Sequence, residues 1–286
     1  MAVLTAPAGA INTYSTLDEL KVRMGVSGTS SDGSLWLVLH AASRGLDSFC
    51  NRAFVVYRAA RLFDVDDPAG FAVPDLAAVN ALYEDADRDR VFEVARSASD
   101  YLMYPLNADP LAPPGRPYSR VVADPQGPRP SFTVGRSAVQ LDGDWGFRSV
   151  SDDSGEDVAS PLNGTSTTAA VTSGAAFAPG QTVRVGQEQM FVRQVSANNL
   201  TVARGVNGTT AASQSGGAGV YAFRPPPEVA EAALLLAARY WKRKDSAYGL
   251  AVGAQGYGPV RVAPGVDPDI EAMLSPFRRM PVGAGV

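Results

Sequence analysis

The order of hydrophobic and polar positions divides this chain into a helical start, a β-rich middle, a second β-rich stretch, one strong late helix and a tail. Thr16-Leu-Asp-Glu19 fits a capping box, in which the Thr16 hydroxyl accepts the Glu19 backbone N–H and the Glu19 carboxylate reaches back. Leu17, Leu20 and Met24 follow at near-helical spacing, and Gly25 is placed to stop the helix. A polar loop spans Ser27 to Gly33. The pattern then predicts a longer helix from about Leu35 to Asn51. Its apolar positions Leu35, Leu39, Ala42, Leu46 and Phe49 are spaced 4, 3, 4 and 3 apart, which sets them on one stripe. Arg44, Asp47 and Arg52 fall off that stripe.

From Ala53 to Leu106 the signal changes to β. Phe54–Tyr57, Arg61–Phe63, Phe71–Val73, Ala81–Tyr83, Val91–Val94 and Tyr101–Tyr104 are short apolar runs. Asp66-Asp-Pro68, Pro74 and Asp85–Asp89 read as the turns between them. Leu106 to Pro130 is rich in Pro and reads as an extended surface loop. Ala138–Leu141 reads as a strand leading into Gly143-Asp-Trp-Gly-Phe147. Ser149 to Gly155 reads as a polar break. Beyond it, residues 151–223 alternate at period two: Val183 with Val185, Met190 with Val192, Leu200 with Val202. Asn198-Asn199 and Gly-Gln turns separate these strands, so this stretch is expected to be a small all-β module. It carries three Arg against five acids.

Pro225-Pro-Pro227 then presets the first turn of a helix over Glu228–Lys244. Val229, Ala232, Ala233, Leu235, Leu236 and Tyr240 are read as one packed side. Leu234, Ala237 and Trp241 carry apolarity around the rest, so this helix wants neighbours on more than one face. Glu228 and Glu231 suit its positive end; Arg239, Lys242, Arg243 and Lys244 suit its negative end. Dipole complementation accounts for that basic cluster more simply than nucleic-acid binding. The tail, Ser246 to Val286, is rich in Gly and Pro. It holds one amphipathic piece, Asp267–Phe277, with Ile270, Met273, Leu274 and Phe277 on one side, and is expected to form an arm that packs on a partner.

Composition narrows the chemistry. The 286 residues hold one His, His40, and one Cys, Cys50. A Cys/His zinc site takes several such ligands, so one chain cannot assemble it, and no intrachain disulfide is possible. Serine or cysteine catalysis with a His base would have to use His40. Both residues lie beside or at the end of the helical stripe, where packing explains them. A net charge of −4 argues against a protein that coats nucleic acid. No apolar run reaches the roughly 20 residues of a membrane span, and Met1–Ala10 has no Lys or Arg to begin a secretory signal. The expected compartment is cytoplasmic. Only three of the 25 basic residues are Lys, a preference that a GC-rich genome explains without function.

Catalytic motifs are absent from the sequence: no Gly-x-x-x-x-Gly-Lys-Ser/Thr, Gly-x-Gly-x-x-Gly, His-Glu-x-x-His or Gly-x-Ser-x-Gly occurs. Asp85-Ala-Asp-Arg-Asp89 begins like a calcium loop. Arg90 and Arg96 then stand where that loop needs Gly and a bidentate Glu, so it reads as a solvated acidic turn. Asp152-Asp-Ser-Gly-Glu-Asp157 reads as a linker, with a weak cation site as the lesser reading. Asp142 and Asp144 lie in a Gly-Asp-Trp-Gly turn and read as turn caps rather than an acid/base pair. The three Asn-x-Thr sequons at Asn163, Asn199 and Asn207 read as turns. No cofactor is expected.

The order of features is more specific than any motif. Tyr14-Ser-Thr-Leu-Asp-Glu-Leu-Lys…Met24 leads to Asp32…Leu35…Leu39-His-Ala-Ala-Ser-Arg-Gly-Leu-Asp47…Asn51-Arg-Ala-Phe54. A β-rich middle ends in Gly143-Asp-Trp-Gly-Phe147, and Pro then introduces Val229-Ala-Glu-Ala-Ala-Leu…Ala238-Arg-Tyr-Trp-Lys-Arg. This series resembles the head–tail connector, or adaptor, proteins of long-tailed phages over roughly residues 1–150 and 224–245. The stretch Phe177–Val192 with Leu200–Ala211 looks like a β-module recurrent in phage virion proteins, with Gln214 where that module often has His.

The resemblance implies an α+β fold. A helical adaptor core with a β-strand layer, 1–150 with 224–245, would be interrupted by a small all-β inserted domain, 151–223, and followed by an extended C-terminal arm, 246–286. It implies a structural virion protein rather than an enzyme. That protein would be a homo-oligomeric ring of roughly a dozen copies, located in the neck after assembly in the host cytoplasm. Its partners would be the portal protein on one side and a stopper or tail-completion protein on the other. DNA would pass through the ring without sequence-specific binding, and no membrane would be involved. Leu234, Tyr240, Trp241, Arg243, Ile270, Met273, Leu274, Phe277, Arg278 and Arg279 are the expected interface residues. Two other readings stay open: a tail or neck protein whose β-module binds a cell-surface glycan, and an enzyme with His40 as base.

Overall fold

The computed structural model describes residues 11–243, 250–251, 260–261 and 266–279. Among them are four α-helices, two six-stranded antiparallel sheets and a two-stranded hairpin, so the chain is mixed α/β and mostly β. It divides into two compact units. One comprises Met1–Asn51, Ser151–Val206 and Thr210–Val286; the other comprises Arg52–Val150 and Asn207–Thr209.

In the first unit the capping box forms as expected. Helix α1 runs Leu17–Met24, with the Thr16 hydroxyl accepting the Glu19 N–H, the Glu19 carboxylate returning to the Thr16 N–H, and Gly25 ending it in the left-handed region. Helix α2 runs Asp32–Cys50, starting inside the stretch read as a polar loop. Asp32 supplies acid for its first turn and pairs with Lys21 at 2.9 Å. Leu35, Leu39, Ala42 and Leu46 are buried along the stripe. Helix α3, Pro227–Lys242, buries Val229, Ala232, Ala233, Leu236 and Ala237. Ala237 therefore belongs to the packed side, and Leu235 is only half-buried. Both follow from a 3.6-residue turn centred on the 229–233–236 line.

The six-stranded sheet of this unit is built from β7 (Ser151–Asp157), β8 (Thr168–Ala170), β9 (Thr182–Val185), β10 (Glu188–Ser196), β11 (Asn199–Ala203) and β12 (Gly219–Phe223), in the order β7-β12-β9-β10-β11-β8. Its two ends meet. Val158 bridges Val171, Ala159 N–H donates to Ala170 C=O at 2.8 Å, and Thr172 N–H donates to Asp157 C=O at 3.0 Å. The sheet thus closes on itself over a core that includes Val158, Val171, Val183, Val185, Met190, Val192, Leu200, Val202 and Val220. The acidic Ser149–Gly155 region is not a break or linker: most of it is β7, paired along β12. Ladder hydrogen bonds to β12 override the low strand propensity of Asp and Ser there.

The module is seated on the helical part of its own unit. Thr13 Oγ1 donates to Gly180 C=O at 3.0 Å, and Thr182 Oγ1 donates to Asn12 Oδ1 at 3.3 Å. A Cβ on Gly180 would stand 2.9 Å from Cη2 of the buried Trp36 of α2. That close approach requires glycine.

The second unit is a six-stranded sheet. Strands β1 (Tyr57–Val65), β6 (Gly135–Trp145), β2 (Gly70–Glu84), β5 (Tyr118–Ala123) and β4 (Tyr101–Tyr104) pair in that order, and β3 (Val94–Arg96) adds to β2. Three sequence readings are corrected. Pro74 lies inside the 15-residue β2, not in a turn, at the place where the β2–β5 register shifts between Ala72 and Leu76. A residue without an N–H is tolerated at such an irregularity. The Pro-rich stretch 106–130 contains β5, whose Val121 is fully buried. The strand expected at Val91–Val94 is only Val94–Arg96.

The Gly143-Asp-Trp-Gly-Phe147 motif locks this sheet. A Gly143 Cβ would lie 2.7–2.9 Å from Leu141 Cδ2, Leu76 Cδ1 and Ala78 O. Asp144 pairs with Arg58 at 3.0 Å and accepts from Asn80 at 3.0 Å. Buried Trp145 donates Nε1–H to Ala59 C=O at 2.7 Å, under the Arg61 guanidinium. Phe147 meets Phe54 edge-on at 5.7 Å.

Candidate assembly surface

The sequence segments that carry the adaptor resemblance are far apart in the chain, yet α1, α2 and α3 pack on one another in a single bundle. Leu17 and Leu20 of α1, the α2 stripe and the α3 stripe supply its buried faces. Tyr240 and Leu236 of α3 lie over Gly45 of α2. Arg23 of α1 pairs with Glu231 of α3 at 2.6 Å.

The exposed positions of α2 are uncharged, whereas α1 exposes Asp18, Glu19 and Arg23 and α3 exposes Glu228 and Lys242. On α2 the exposed positions before its last turn include Gly33, Ser34, Leu37 and Ala41. Leu37 is 65% exposed, and Val22 of α1 is 83% exposed. On α3, Leu234, Ala238 and Trp241 are half-buried at spacings of 4 and 3, which continues an apolar line outside the packed stripe. Val22 and Leu37 were not among the expected interface residues. The available signal was an aliphatic side chain at a helix position where the pattern calls for a polar one.

The ten expected interface residues separate into two groups. Leu234 and Trp241 are half-buried on α3, and Tyr240 is half-buried toward α2. Arg243 is exposed at the end of α3. The others lie on the tail segment 266–279, which contains helix α4, Pro268–Leu274, followed by a 3-10 turn at Ser275–Phe277. Ile270 and Leu274 are 1% and 0% exposed. They are buried where α4 packs against α3. Met273 and Phe277 are half-buried, Arg278 is exposed over Phe49, and Arg279 N–H donates to Cys50 C=O at 2.8 Å. This part of the tail folds back on the helices. Most of the remaining tail, 244–249, 252–259, 262–265 and 280–286, lies outside the described residues.

Arg239, read from sequence as dipole complement, is ion-paired with Asp267 of the tail. His40 is half-buried; burial and then the neighbouring Arg44 cation hold its imidazole below the usual value. Cys50 is fully buried at the end of α2.

The other candidate chemistries resolve into local structure. Asp85, Asp87, Asp89 and Glu93 bring carboxylate oxygens within 4.8 Å of one another. Those same carboxylates accept the backbone N–H groups of Ala86, Arg88, Asp89, Arg90 and Val91, which is how acidic residues hold a tight turn. Asp144, of the Asp142/Asp144 pair, is held by Arg58. Of the module's four aromatics, Phe177 and Phe191 are buried, and the Tyr221 ring is stacked by the Arg184 guanidinium at 4.7 Å. Few faces are left for stacking on a sugar. Among the described residues no helix is long and apolar enough to cross a membrane.

No family model matches the chain, and no curated protein matches it. The chain is similar to one in a solved structure described as the neck of an empty GTA particle computed with C6 symmetry. The comparison covers 100% of this chain and 99% of that one, at 14% identity and a TM-score of 0.43.

Proposed function

We propose that this chain is a structural subunit of a head–tail connector in a long-tailed phage-type virion. It forms a ring in the neck, between the portal and a stopper or tail-completion protein, and lines the path by which DNA leaves the capsid. The reading is carried by one observation: the three helical segments that resemble adaptor proteins, 17–24, 32–50 and 227–242, converge in one bundle. The uncharged outer positions Val22, Leu37, Leu234 and Trp241 support it. Each copy in a ring repeats a heterologous contact, and an apolar helix face with a polar surround suits that role. On this reading residues 151–223 are an insertion in chain order between the two adaptor segments. No reacting group is required.

The test is to image intact particles and, in parallel, to mix the full chain with assembled portal. A ring at the neck and portal binding are expected. A chain that stays monomeric and ignores assembled portal refutes the proposal.

A further inference from the structure

The tail segment 266–279 is held to the helices by a complete set of contacts. Ile270 and Leu274 are its buried anchors, and Asp267 pairs with Arg239. The Arg278 guanidinium lies 4.9 Å from the Phe49 ring centroid, and Arg279 N–H satisfies the C=O of Cys50. Helix α2 has no basic residue in its own last turn. Arg278 and Arg279 bring to it the positive charge that a helix C-terminus favours.

The covalent connection to this segment is far longer than its position requires. The chain leaves α3 at Arg243 and is back beside Arg239, one turn earlier, by Asp267. One turn is about 5 Å of helix. Yet residues 244–265 stand between, 22 of them, with five Gly and two Pro. Leu250–Ala251 (β13) and Val260–Arg261 (β14) pair within that stretch. Even with this hairpin closed, the ten residues on its two sides together span roughly 35 Å when extended.

We propose that neighbouring copies exchange this strap: in the assembled connector, α4 of one copy occupies the α2–α3 face of the next. The inference rests on the ring reading above. Exchange keeps every contact of the docked strap and only changes which chain supplies it. It therefore requires proximity of a second copy rather than a new interface. Passed in one direction around a closed ring, each copy gives one strap and receives one.

The test uses the full chain with Arg239→Cys and Asp267→Cys, and a short bismaleimide. The pair bearing both substitutions on one chain gives a single-chain product in dilute monomer and covalent multimers in assemblies. The two single variants, mixed and assembled, give a two-chain adduct. Native Cys50 is buried, and the parent chain treated alike supplies its background. Phe49→Cys with Arg278→Cys asks the same question at the other end of the strap, should the first pair disturb folding. Assemblies that yield only single-chain product with both pairs overturn the exchange while leaving the ring intact. A chain that stays monomeric at all concentrations and beside portal overturns the ring reading, and the exchange with it.

Discussion

Arg204→Met should unfasten the β-module. Glu188, 1% exposed, accepts Arg204 Nε at 2.6 Å and Nη2 at 2.8 Å, together with the N–H groups of Gly205 and Ala212. Arg204 also donates to the carbonyls of Asn163, Ser166 and Ala212. It thereby ties the β7–β8 and β11–β12 loops to β10. Met retains most of the volume but leaves Glu188 a buried carboxylate with only two backbone donors. Breaking a buried pair from one side costs about 3–5 kcal/mol. At about 2–4 °C per kcal/mol for a unit of this size, the melting transition should fall by roughly 6–20 °C. Calorimetry of the full chain measures the drop. Hydrogen exchange localises it, with protection lost in β10 and β11 and retained in β1, β2 and β6.

Acid provides a second check. Burial pushes the Glu188 carboxyl up, but the Arg204 and backbone hydrogen bonds outweigh it and hold the group below its ordinary 4.5. In the parent this contribution is complete above that value and is lost as pH falls through the lower folded value. Without Arg204, burial dominates and the carboxyl moves up, so acidification should narrow the gap between variant and parent. Adding Glu188→Gln should recover part of the loss, since the uncompensated charge is gone. An Arg204→Met chain within about 1 kcal/mol of the parent, as for an exposed pair, would refute this reasoning.

Gly180→Val should clash with Trp36 and cost about 1–3 kcal/mol, read as a lower denaturation midpoint and a red-shifted tryptophan emission. Leu37→Asp should leave the stability of the isolated chain within about 0.5 kcal/mol while abolishing oligomers in analytical ultracentrifugation; unchanged oligomers would remove Leu37 from the interface. His40, whose folded pKa is lowered, should add a stability loss that begins as pH falls below 6.5 and ends once the folded group also protonates. In His40→Gln the slope of stability against pH in that window should flatten.

Local physics was legible wherever a few neighbouring residues decide the outcome. Thr16 and Glu19 needed only each other to cap α1, and the spacing from Leu35 to Leu46 fixed the buried face of α2. Pairing across long separations was not legible. Asp152 and Asp153 look like linker until β12, some 70 residues later, supplies their ladder partners. Pro74 looks like a turn until β6 takes up pairing beyond the irregularity. The burial of the helix and tail positions was half legible. Leu234 and Trp241 stood out as apolarity on a second side of α3. Ile270 and Leu274 looked equally available because no pattern in the tail reveals that α3 already covers them. Leu37 was missed because a single aliphatic residue on a polar face carries little signal in a sequence.

The wide separation of the three bundle helices also has a consequence in time. Cys50 ends α2 and Pro227 begins α3, so the nascent α1–α2 pair waits for its third member while the intervening chain is translated. At about 5–20 residues per second this delay lasts roughly ten to thirty-five seconds. During it Leu35, Leu39 and Leu46 lack their final cover. If the proposed connector forms, joining therefore has to follow the synthesis of α3.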